Sequence, residues 1–195
     1  MSEGEAAPAA ASEQPPAASE QGSRNLVMRV VAALVLAPLA IGLAYLGGVA
    51  WSLLVTLVSV GLFAEWLAVT GQGRELRAMV PGVLALLLAG FCLMAGRLDA
   101  ALVVIAVGAV VVVLTSGARR NWAVAGLLYA AAAEIASVLL RLDMVKGFAA
   151  LMFVLLIVWV TDIGGYFAGR SIGGPKLWVR VSPKKTWAGA IGGFV

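Results

Sequence analysis

The 195-residue sequence contains no histidine and one cysteine, and charged residues make up only 12% of it. Without histidine there is no Ser-His-Asp relay, no imidazole general base and no His-ligated zinc. Cys92 has no second thiol in the sequence, so a disulfide within the chain and a cysteine-based metal site are both excluded, and cysteine usage leaves the redox compartment open. The scarcity of charge is matched by an excess of apolar residues: 62% are hydrophobic and the mean hydropathy is +1.01. Such a composition has far more apolar surface than a water-soluble fold conceals, and it defines an integral membrane protein. Any chemistry must therefore run on carboxylates, lysine, arginine, hydroxyls, backbone amides and a bound metal.

Residues 1–23 are rich in Ala, Pro, Ser, Gln and Glu and lack a basic residue. They read as a disordered tail rather than a signal peptide, followed by a transmembrane domain over 24–195. A helix needs about 20 residues to cross the hydrocarbon layer. Apolar segments at 26–46, 49–69, 80–96, 98–115, 122–140 and 148–168 meet that need, and another begins near 183. The expected fold class is all-α: a polytopic membrane protein with six transmembrane helices and the start of a seventh. Basic residues test the count. With a cytoplasmic tail, Arg24, Arg29, Arg74, Arg77, Arg119, Arg120, Arg170, Lys176, Arg180, Lys184 and Lys185 fall inside, and Arg97, Arg141 and Lys146 outside. Eleven against three is a strong positive-inside bias. It predicts a multi-pass protein of the inner cell membrane, with the N-terminus and the loop before residue 183 in the cytoplasm. Because this placement accounts for the net charge of +4, no nucleic-acid partner is expected.

Two features in the last third of the chain carry chemical potential. The first is Asp162, near the cytoplasmic end of the sixth segment and followed by Gly164, Gly165, Tyr166, Gly169 and Arg170. A carboxylate costs about 2.5–3.5 kcal/mol at mid-membrane, and such groups usually serve a cation, a metal or a substrate path. The alternatives are contact with water or pairing with Arg170. Glu65 has a similar depth and is a further candidate, as is Arg170 itself, whereas Glu134 lies toward the outer side and is not assigned to the site. The second feature is Ser182-Pro-Lys-Lys-Thr186. Ser182 reads as an N-cap and Pro183 as the first helical residue, so that Lys184, Lys185 and free helix amides together would attract phosphate. Ser182, Thr186, Gly189 and Gly193 would then form one stripe of the seventh helix. Gly165 and Gly169 read more simply as a helix-packing pair.

The stretch "TDIGGYFAGRSIGGPKLWVRVSPKKTWAGAIGG", Thr161 to Gly193, resembles the central segment of the phosphatidate cytidylyltransferases, where an Asp-x-Gly-Ala-Tyr helix leads to Ser-Pro-Lys-Lys-Thr-x-Glu-Gly. The resemblance implies transfer of a cytidylyl group from CTP to phosphatidic acid in phospholipid synthesis, giving CDP-diacylglycerol and pyrophosphate, with Mg2+ required. It implies Asp162 and Lys185 as catalytic residues, Asp162 as the metal ligand, and Ser182, Lys184, Lys185, Thr186 and Gly189 as the CTP and phosphate contacts. CTP, phosphatidic acid and the lipid bilayer are the implied partners, and a homodimer is a candidate assembly. The family has Glu where this chain has Ala188, and it continues into a C-terminal segment with further Lys, Asp, His-Gly-Gly and Asp-Arg elements that this sequence does not contain. The chain is thus expected to be part of the enzyme and inactive alone. The other readings are a transporter or channel, a CTP-dependent lipid kinase-like enzyme, and an inactive membrane fragment.

Overall fold

Long apolar runs become helices because a helix satisfies its own backbone hydrogen bonds where no water can do so. A computed structural model describes residues 18–73, 75–143, 145–179 and 182–194, with the backbone alone for 18–27, 29, 30 and 33. The elements are α1 (Ala18–Leu46), α2 (Gly48–Val69), α3 (Leu76–Met94), α4 (Leu98–Thr115), α5 (Arg120–Leu142), α6 (Gly147–Ser171), β1 (Lys176–Trp178), β2 (Ser182–Thr186) and α7 (Trp187–Phe194). Residues 1–17 of the expected tail, Arg74 and Arg180 lie outside the described residues, as do the side chains of Arg24 and Arg29. Helix α1 begins at Ala18, within the stretch read as tail. The chain divides into two units, 1–40 and 41–195.

Among the described residues five helices, α2 to α6, are long and apolar enough to cross a membrane; within α1 the apolar stretch is the shorter Leu34–Leu46. The ends of α4 coincide with those read from hydropathy, and α3 starts at Leu76, so Pro81 lies inside it rather than near its start. The expectation of an all-α chain requires correction at residues 176–186. Two strands pair there as an antiparallel ribbon, with Lys176 opposite Thr186 and Trp178 opposite Ser182 and an irregularity between them. Ser182 and Pro183 therefore do not open a helix. The segment finds a partner strand a few residues upstream, and proline is tolerated because both strands of a two-stranded ribbon are edges.

The core of the second unit is the α2–α5 bundle: α2 packs on α3 and α5, and α4 on α3 and α5. Phe63 and Leu67 of α2, Leu86 of α3, Val112 of α4 and Leu127 of α5 are among its buried residues. At one end Arg141 closes the turn between α1 and α2. Its Nε and Nη2 donate to the carbonyls of Ala44 and Tyr45 at 2.6 and 2.9 Å, occupying acceptors that the end of α1 leaves free. Gly47 at φ 65° turns the chain beneath that guanidinium, and a Cβ there would stand 2.7 Å from it. At the start of α6, Asp143 Oδ1 accepts the amides of Val145 and Lys146, both at 2.8 Å, which holds its carboxyl below the ordinary range. Because the folded value is lowered, this stabilisation is present at neutral pH and fades as pH falls through that value.

Glu134 is fully buried between α2 and α5, where Thr56 Oγ1 donates to its Oε1 at 2.7 Å. Gly90 of α3 faces both groups with no room for a side chain. The second carboxyl oxygen has no hydrogen-bond partner among the described residues. Thr56→Val keeps the shape and removes the donor, so it should lower stability by about 1–3 kcal/mol. Thermal unfolding in detergent measures this; an unchanged midpoint would mean that the bond contributes nothing.

Candidate active site

Helix α6 departs from the bundle after its first turns. Gly147 and Leu151 are its only buried residues among those described, and it packs on α5 at that end and on α7 at the other. The α6–α7 contact is made of glycine. A Cβ at Gly164 would lie 2.5 Å from the Gly192 carbonyl oxygen, one at Gly193 would lie 2.9 Å from that of Thr161, and one at Gly192 would run into Ala168. Gly165 and Gly169 meet Gly189 in the same way. Small residues spaced by a helical turn allow two backbones to approach this closely, as the packing reading of Gly165 and Gly169 expects.

The end of β2 fixes where α7 starts. Thr186 Oγ1 accepts the Gly189 amide at 3.2 Å, so Thr186, not Ser182, is the cap of α7. The Trp187 amide donates to the Pro175 carbonyl at 3.1 Å and ties α7 to the turn before β1. Two of the first amides of α7 are thus already engaged. The expected phosphate-binding helix start at residues 183–185 is replaced by an extended strand carrying lysines.

Between α6, the ribbon and α7 lies a cavity of about 740 Å3. Thr161, Asp162, Gly165, Tyr166, Gly169 and Arg170 line it from α6, Lys184, Lys185 and Thr186 from β2, Leu177 from β1, and Gly189, Ala190, Gly193 and Phe194 from α7. Three cations, Arg170, Lys184 and Lys185, share it with one carboxylate, Asp162. Arg170 Nη1 donates to the Tyr166 hydroxyl at 3.0 Å. It does not pair with Asp162: among the described residues the ion pair formed is that of Arg97 with Asp99. Asp162 is exposed and makes no side-chain hydrogen bond within the described residues.

Of the residues expected in the site, Asp162, Lys184, Lys185, Thr186, Gly189 and Arg170 come together here. Ser182 and Glu65 do not line this cavity. Ser182 pairs with Trp178 at the far end of the ribbon. Glu65 is exposed on α2, which packs on α3 and α5, whereas α6 packs on α5 and α7. Ala188 is half-buried and does not line the cavity either. Tyr166, Leu177 and Phe194 were missed as lining residues. For Tyr166 the signal was its spacing of four from both Asp162 and Arg170, which puts the three on one helix face.

No cluster of three or more metal-ligating side chains occurs among the described residues. One carboxylate beside three cations suits an ion held mainly by a ligand's own phosphates, since magnesium commonly takes one or two protein carboxylates and completes its shell with phosphate and water. Asp162 fits that role.

Helices apolar enough to cross a membrane and a cavity lined by three cations and one carboxylate define a multi-pass membrane protein with a charged site. The profile of the Cytidylyltransferase family matches residues 27–195, and the chain belongs to that family. Among curated proteins it is 38% identical over 177 residues to a phosphatidate cytidylyltransferase of Brucella suis, covering 87% of this chain and 63% of that protein. It is 35% identical over 183 residues to one of Pseudomonas aeruginosa, covering 87% and 66%. A shorter match, 45% over 53 residues, covers 27% of this chain and 18% of the phosphatidate cytidylyltransferase of Haemophilus influenzae. The chain thus spans less than two thirds of the length of the Brucella relative. No solved structure matches it.

Proposed function

We propose that this chain supplies the nucleotide-binding half of an enzyme that transfers the cytidylyl group of CTP to phosphatidic acid. A phosphate oxygen of the lipid attacks the α-phosphorus of CTP, the bond to the β-phosphate oxygen breaks, and CDP-diacylglycerol and pyrophosphate form. The observation that carries this reading is the convergence of Asp162, Arg170, Lys184 and Lys185 on one cavity. Displacement at phosphorus depends on positioning and on neutralising charge, and needs no covalent residue or histidine. Lys184, Lys185 and Arg170 would hold the triphosphate, and Asp162 would hold Mg2+, which supplies further countercharge to the phosphates when bound. Thr186 and Gly189, which were expected to touch phosphate, line this cavity while also capping and packing α7. The apolar wall formed by Leu177, Ala190 and Phe194 suits the acyl-glycerol part of the lipid substrate.

The test uses the chain brought to the full length of its relatives, in membranes given CTP labelled at the α- or the γ-phosphate. Label from the α-phosphate should enter lipid, and label from the γ-phosphate should leave in pyrophosphate. Entry of the γ-label into lipid would make the protein a lipid kinase; entry of neither label would reject both.

The same proposal includes six spans, counting 26–46, with the N-terminus and the ribbon on the cytoplasmic face of the inner membrane, where CTP is found; homodimerisation is part of it. The eleven-to-three distribution of basic residues supports that orientation. With Cys92 replaced, single cysteines at Gln21 and Lys184 should both react with an impermeant thiol reagent only after the membrane is opened from the cytoplasmic side. Labelling of the two from opposite faces would remove one span from the count.

A further inference from the structure

A second cavity, of about 590 Å3, lies between the beginning of α3 and the end of α4. Its walls are Leu76, Val80 and Leu84 from α3 and Val111 and Leu114 from α4, all exposed apolar side chains. The joint at its head follows from one residue. Pro81 has no N–H, so the carbonyl of Arg77, four residues earlier, loses its helical donor. Thr115 of α4 replaces it: its hydroxyl lies 2.7 Å from the Arg77 carbonyl and 2.8 Å from that of Val111, with one hydrogen serving both. The last turn of α4 is thereby fastened to the first turn of α3, above the apolar groove.

The head of the groove is cationic. Arg77 lines it, is exposed, and forms no ion pair among the described residues. It stands in the first turn of α3, where the helix dipole adds partial positive charge. Arg119 and Arg120 do not line the groove: Arg119, the N-cap residue of α5, donates to the Thr70 carbonyl, and Arg120 opens α5. Glu75, the acidic neighbour, is the N-cap residue of α3 and makes no capping bond.

We propose that this groove binds one anionic phospholipid of the bilayer, with its phosphate on Arg77 and an acyl chain along Leu76, Val80, Leu84, Val111 and Leu114. The apolar walls would accept a chain from any lipid. Charge complementarity selects the headgroup: an unpaired guanidinium at a helix N-terminus favours net negative charge and can donate two parallel hydrogen bonds to phosphate. The site is distinct from the α6–α7 cavity and does not depend on the reaction proposed there.

Native mass spectrometry of the detergent-solubilised chain, offered equal amounts of phosphatidylglycerol and phosphatidylcholine with identical acyl chains, tests the proposal. The unsubstituted chain should retain one phosphatidylglycerol in preference. Arg77→Ala leaves the carbonyl used by Thr115 in place and should reduce that preference about fivefold. Arg77→Lys should keep most of it, and Arg120→Ala should change it by less than Arg77→Ala. Leu84→Trp, which fills the groove, should reduce retention of both lipids. Equal retention of the two lipids by the unsubstituted chain, or equal losses from Arg77→Ala and Arg120→Ala, would overturn the site.

Discussion

Leucine in place of Gly164 is expected to detach α7 from α6. Position 164 has a backbone oxygen, that of Gly192, 2.5 Å from where a Cβ would stand, so the new side chain cannot be accommodated by turning a neighbour's rotamer. Overpacking costs about 1–3 kcal/mol where side chains can shift, and the upper end or more applies where backbone must move. Helix α7 has little with which to resist. It is eight residues long, contains no buried residue, and its contacts are α6 and the two strands. Hydrogen exchange in detergent should show the amides of 187–194 losing protection while those of α4 and α5 keep theirs. Because Gly189, Ala190, Gly193 and Phe194 form one wall of the cavity, the proposed nucleotide binding should be lost with it. Gly164→Ala should give a smaller effect in the same direction. Gly61→Leu, on α2 with open space around it, serves as the control and should leave exchange unchanged. Undisturbed protection of α7 in Gly164→Leu would mean that the glycine contact does not hold the cavity together.

Lys185→Ala and Asp162→Asn are expected to fail in different ways, as the proposed roles require. Removing the Lys185 ammonium takes a countercharge from the triphosphate. Loss of a charged, hydrogen-bonded contact costs on the order of 2–5 kcal/mol, so CTP affinity should fall by more than tenfold. Asp162→Asn keeps the size of the side chain and removes the only carboxylate among the described residues lining the cavity. Turnover should fall and should not recover with excess CTP, while raised magnesium restores part of it. Titrating CTP and magnesium separately, with the chain at the length of its relatives and expression matched, distinguishes the two. Parental turnover of Asp162→Asn at low magnesium would end the metal-ligand assignment. Pairing with Arg170 would not explain Asp162 in its place, because the two form no ion pair among the described residues.

Much of this molecule was determined locally. Hydropathy is summed over adjacent residues, so the helical spans were legible from composition alone, and α4 was read to the residue. The site segment was legible for a related reason: Asp162, Tyr166 and Arg170 share a helix face by spacing, and Lys184 and Lys185 are neighbours in the chain. What the sequence could not reveal depends on partners distant along it. Ser182 to Thr186 carries a sound helix-start signal, yet Lys176 to Trp178 offers backbone bonds that make it a strand and pass the capping role to Thr186. Glu134 looked like an outlying acid until α2 brought Thr56 to it across 78 residues. Glu65 matched Asp162 in depth but lies on a helix that packs elsewhere, since depth along a span is a local property and adjacency between spans is not. The six glycines of the α6–α7 contact show the same division: their abundance is visible in the sequence, but only the meeting of two backbones decides which atoms a side chain would strike.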